Sequence, residues 1–147
     1  LDMEETLMIR TAALLLHLGY ISNYPHPETE SAGLARTILP EFQYSSKQIN
    51  TISNLILATK WPPEPKTMLE KIMVDIRMEY LGRADFAQIF RLLFLEVIEL
   101  SGPLEFRVWK ENMIKLLESF SYFTYAGRRL REVSSEDQIR ELENIQL

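Results

Sequence analysis

The chain has 147 residues, enough for a self-supporting core, and its 46% hydrophobic and 25% charged residues are the balance of an ordinary globular domain. A formal charge of −5 argues against nucleic acid as a partner, because that affinity rests on Lys and Arg neutralising phosphates. Cys is absent, which excludes disulfides, thiolate metal sites and Cys nucleophiles and fits the cytoplasm, and no apolar run approaches the roughly 20 residues of a membrane span.

Met3, Leu7, Met8, Ala12, Leu14, Leu15 and Leu18 recur at helical spacing and predict a helix over Met3 to Leu18, buried on more than one side. Gly19 is expected to end it in the left-handed conformation. Pro25 and Pro27 make residues 21–27 a rigid loop, and a helix with acids in its first turn follows from Glu28 to Leu39, closed by Pro40. Ser45-x-x-Gln48 and Thr67-x-x-Glu70 have the form of capping boxes. The first opens a helix running to the Pro62–Pro65 break, and the second opens one reaching Gly82. Asp85-x-x-Gln88 marks another start, before the apolar run Phe86 to Leu100.

Gly102 breaks that run, and Pro103 is expected at a first helical position. Phe106, Trp109, Met113, Leu116, Leu117, Phe120 and Phe123 predict a helix to Phe123, with its aromatic line in the core. Arg128, Arg129 and Arg131 follow Tyr122, Phe123 and Tyr125 and read as a solvated basic face. Ser134 or Ser135 caps a last polar helix expected to end at Leu147. No stretch alternates long enough to be a strand. The fold class is therefore all-α, a single domain over 1–147 with about seven or eight helices. The opening Leu1-Asp2-Met3, already in helical register, leads us to expect a fragment of a longer polypeptide.

Few residues point to chemistry. His17 near the end of an apolar helix either satisfies the last carbonyls or faces a metal or phosphate. His26, held between prolines, is either a surface residue or a fixed imidazole. Asp75 sits mid-helix between Val74 and Ile76, where an ionised carboxylate needs a partner. That partner is a metal, a histidine or a basic side chain such as Arg36, Lys60 or Arg10; Arg77, two residues on, points to a different face. The chain has no Gly-rich phosphate loop, Gly-x-Ser-x-Gly elbow or His-Glu-x-x-His pair.

Three stretches together resemble the HD-domain metal-dependent phosphohydrolases, an all-helical superfamily that includes cyclic-nucleotide phosphodiesterases. Ala12-Ala13-Leu14-Leu15-Leu16-His17-Leu18-Gly19-Tyr20 is similar to the family's Ala-Ala-Leu-x-His-Asp-Ile-Gly-Tyr. His26-Pro27-Glu28-Thr29-Glu30-Ser31-Ala32 resembles its His-Glu-x-x-Ser-Ala helix start, and Asp75 to Phe86 resembles Asp-Ala-Asp-x-x-Tyr-Leu-Gly-Arg-x-Asp-Phe. The run Phe123-Thr124 to Gly127-Arg128-Arg129-Leu130-Arg131 also fits the C-terminal helices of this branch. The resemblance implies a divalent metal (Mg, Mn or Fe) held here by Asp75, His17 and His26, and a phosphorylated substrate met by Arg77 and Lys60.

The departures from that pattern are chemical. Aligned on Gly19-Tyr20, the family's His-Asp pair falls on Leu16-His17, and a one-residue slip puts Leu18 where the Asp belongs. The upstream His would precede Leu1, and Arg77 replaces the second Asp of the third stretch. An arginine repels a cation but can take phosphate bidentately. The reading that follows is a degenerate HD domain, a non-catalytic binding or signalling module with flanking signalling domains and a nucleotide or phosphorylated small molecule as ligand. The alternative is an active metal-dependent phosphohydrolase acting on a nucleotide, cyclic nucleotide or other phosphoester.

Overall fold

Eight α-helices and no strand occur among residues 1–146, the residues described by a computed structural model of the chain. The expected helix end at Leu147 lies outside the described residues; the last helix closes at Asn144. The helices fall into two compact units, one over Leu1–Arg77 and the other from Met78 onward.

The first unit holds α1 (Met3–Leu15), α2 (Pro27–Ile38), α3 (Ser46–Leu57) and α4 (Met68–Arg77). Asp2 caps α1 by accepting from the Glu5 N–H at 2.7 Å while the Glu5 carboxylate takes the Asp2 N–H at 3.0 Å. Ser45 and Gln48 make the same reciprocal pair at α3, and Thr67 and Glu70 do so at α4. Each cap stabilises its helix by about 1 kcal/mol. The apolar stripes then close on one core of Met8, Ile9, Ala12, Leu16, Ala32, Ala35, Leu39, Ile49, Ile52, Leu55, Ile56 and Met73.

The first helix is shorter than its apolar pattern. It stops at Leu15, and Leu18–Ile21 continue as a 3-10 turn. Gly19 does not close it in a left-handed conformation, since the positive-φ residues among those described are Gln43 and Gly102. The reason for glycine is proximity: a Cβ on Gly19 would strike the Pro27 carbonyl and approach the Ser31 nitrogen to 2.8 Å. The buried Ser31 hydroxyl accepts from the Gly19 N–H and donates to the Leu16 carbonyl, both at 2.8 Å. One hydroxyl thus ties the end of α1 to α2. Pro40 sits inside a 3-10 turn, Leu39–Phe42, that follows α2.

The second unit holds α5 (Phe86–Ser101), α6 (Phe106–Ser119), α7 (Tyr125–Arg129) and α8 (Ser135–Asn144). Phe86, Phe90 and Phe94 of α5 are buried with Met113, Leu117 and Leu142, and Trp109 stacks on Phe90 at 5.8 Å. Pro103 is outside α6, whose N-cap is Glu105. That helix ends at Ser119 because Phe120 turns extended, so the last aromatics belong to a loop; Phe123 is 36% exposed rather than in the core. Asp85 precedes α5 but makes no capping bond, its carboxylate being taken by Arg83 in two hydrogen bonds of 2.7 Å. That pairing holds the Asp85 carboxyl below its ordinary range and raises the pKa of Arg83. Ser134 caps α8 by accepting from the Asp137 N–H at 3.1 Å.

Candidate functional site

The turns at the ends of α1, α3 and α4 and the start of α2 surround a cleft of about 350 Å³ in the first unit. Tyr20 and Tyr24 come from the segment after α1, His26, Pro27 and Glu28 from the start of α2, Lys60 and Trp61 from the segment after α3, and Arg77 from the end of α4. His26, Lys60 and Arg77, three of the residues expected from sequence to form a site, are therefore brought together.

Arg77 is the best fixed of them. Its Nη2 donates to the Tyr20 hydroxyl at 2.6 Å, its guanidinium carbon lies 5.7 Å from the Tyr20 ring centre, and Glu28 approaches to 3.9 Å. Tyr24 meets Tyr20 edge-on at 5.3 Å, so the aromatic wall is itself braced. Only part of the Arg77 charge is offset, because the Glu28 contact is long. Lys60 is exposed and no carboxylate of the described residues pairs with it. Two cations against one carboxylate leave the cleft with net positive charge.

His17 lies beside this group. It does not cap the end of α1; its ring stacks on Tyr20 at 5.8 Å. Although the residue is exposed to solvent on one side, desolvation by its neighbours lowers its pKa below 6.5, Arg77 lowers it further, and Glu28 opposes both. Asp75 is 6% exposed, buried in α4, while Arg77 two residues later faces the cleft. The separation of their directions is the one that helical geometry requires.

The donor set does not fit a divalent metal. Among the described residues no three His, Asp or Glu side chains are gathered to hold an ion, so Asp75, His17 and His26 do not form a ligand set. The cleft offers one imidazole and one carboxylate, and that carboxylate lies beside an arginine. Mg²⁺ and Mn²⁺ favour several oxygen ligands.

Sequence reasoning assigned no role to Tyr20, Tyr24, Trp61 or Glu28. The one available signal was position: Tyr20 follows the Gly19 turn and Trp61 precedes the proline run. Compared with known proteins, the chain matches no family model, no curated protein and no solved structure.

Proposed function

We propose that the chain is a degenerate HD-type domain that binds a nucleotide or other phosphorylated small molecule without hydrolysing it, as a binding module of a signalling protein. The observation that carries this reading is the meeting of Arg77, Lys60 and three aromatic side chains in one cleft. Its volume lies at the lower end of the roughly 300–1,000 Å³ common for small-molecule sites. Arg77 stands where the resembled pattern has an acid, and a guanidinium there favours phosphate and disfavours a cation.

Titration calorimetry with AMP, cyclic AMP and inorganic phosphate, in chelator and then in Mn²⁺, tests the proposal. Binding is expected in chelator, and Lys60→Ala should weaken it about tenfold, the worth of one charge-assisted hydrogen bond. Stoichiometric metal together with turnover lost in Asp75→Ala would establish the hydrolase instead. Absence of binding at millimolar ligand would remove the module reading.

A further inference from the structure

The basic run read from sequence as a solvated face is not uniform. Arg129 is exposed and lies over Tyr125 at 5.9 Å, as a solvated residue does. Arg128 and Arg131 instead line a cleft of about 200 Å³ in the second unit, with Ser121, Tyr122 and Ser135.

Arg131 is held on both sides. The Tyr122 ring centre lies 3.4 Å from its guanidinium carbon, and the Tyr122 hydroxyl is anchored to the Met78 carbonyl at 2.7 Å. On the other side is Gly82, where a Cβ would come within 2.5 Å of Arg131 Cδ and 2.7 Å of Nη1. The Gly82 carbonyl accepts from the Glu132 and Val133 N–H groups, which fixes the chain just after Arg131. Arg128 is tied to the same frame, donating from Nη1 to the Tyr122 carbonyl at 2.9 Å.

Neither guanidinium meets a carboxylate within salt-bridge distance among the described residues. The neighbouring acids are otherwise engaged: Glu132 accepts the Ala84 N–H at 2.8 Å, and Glu79 approaches Arg83 at 3.9 Å. Arg131 Nη1 has a long bond, 3.4 Å, to the Glu79 carbonyl, and its Nε is buried without a partner. Two fixed cations lining one small cleft, with no carboxylate of the described residues paired to either, call for an anion.

We infer that the second unit carries a separate anion site, formed by Arg128 and Arg131, for the phosphate group of a small monoester. A carboxylate fills one guanidinium fork and leaves the second cation uncompensated; a phosphate dianion offers three oxygens to two guanidiniums and to the Ser121 and Ser135 hydroxyls. The cleft is below the usual range for drug-sized ligands, which limits the occupant to a phosphate with a few further atoms. This site shares no residue with the Arg77 cleft and does not depend on the reading of that cleft.

The test is a titration of the whole chain with inorganic phosphate and with glycerol phosphate, followed by NMR shifts of the Ser121, Tyr122 and Ser135 amides. Saturable binding is expected in the millimolar range or tighter, with glycerol phosphate at least equal to inorganic phosphate. Arg128→Ala and Arg131→Lys should each weaken it at least about tenfold, the latter keeping the charge while losing the fork. Lys60→Ala should leave it unchanged. No saturable shift at these amides, insensitivity to both arginine variants, or exclusion of glycerol phosphate would overturn the inference. Arg131→Lys retains a long cation against Tyr122, so it remains informative where Arg131→Ala would lose the packing.

Discussion

At the scale of single residues, the Ser31 hydroxyl does more than its small size announces. It is fully buried and serves two backbone groups left over where α1 stops short, the Gly19 N–H and the Leu16 carbonyl. Ser31→Ala leaves both without their buried partner, at a cost of about 1–3 kcal/mol for a buried orphan group. The expected loss is about 2 kcal/mol in urea denaturation, against almost none for Thr37→Ala, whose exposed hydroxyl bonds only within its own helix. Because Tyr20 directly follows Gly19 and accepts from Arg77, Ser31→Ala should also weaken ligand binding at the cleft. Equal stability of the two variants would show that the hydroxyl is not the tie between α1 and α2.

Helices were legible as elements because their caps and stripes are local, and their ends misread wherever a distant partner intervened. Ser45 with Gln48 and Thr67 with Glu70 form the reciprocal bonds their spacing implies. Asp85 has the same spacing to Gln88, yet a nearer arginine claims its carboxylate, so the motif marks the start of α5 without capping it. The apolar period through Phe120 and Phe123 continues past the end of α6, because aromatics in a packed loop satisfy the same count as aromatics on a helix face. Ser45→Ala should therefore cost about 1 kcal/mol by loss of a working cap. Asp85→Ala removes only an exposed ion pair and should shift the denaturation midpoint less than Ser45→Ala does. The reverse order would mean that Asp85 caps α5 in solution.

For the molecule as a whole, the charged residues of the cleft could be named from sequence but its walls could not. Arg77 and Tyr20 are 57 positions apart, and nothing local in either segment records their hydrogen bond. The three expected metal ligands are not gathered, for the converse reason: Asp75 is buried in α4, while His26 lines the cleft and His17 stacks on Tyr20 beside it. What the charges impose on the whole fold is a pH dependence with a determined sign. His17 has a folded pKa below 6.5, so the unfolded chain binds its proton more readily. Its contribution to stability is complete above about pH 6.5 and is lost as the pH falls through that value towards the depressed folded pKa. Asp85, held below 3.8 by Arg83, adds a second contribution, present above 3.8 and lost as the pH falls through its own folded pKa. Both slopes run the same way, while Arg83 stays protonated throughout and adds none. The urea midpoint should therefore fall from about pH 7.5 to about pH 5 in the native chain. His17→Asn should flatten that upper step and leave the acid one in place. A midpoint that rises on acidification to pH 5, or an upper step that survives His17→Asn, would show that desolvation by its neighbours and the nearby Arg77 do not hold the His17 pKa down.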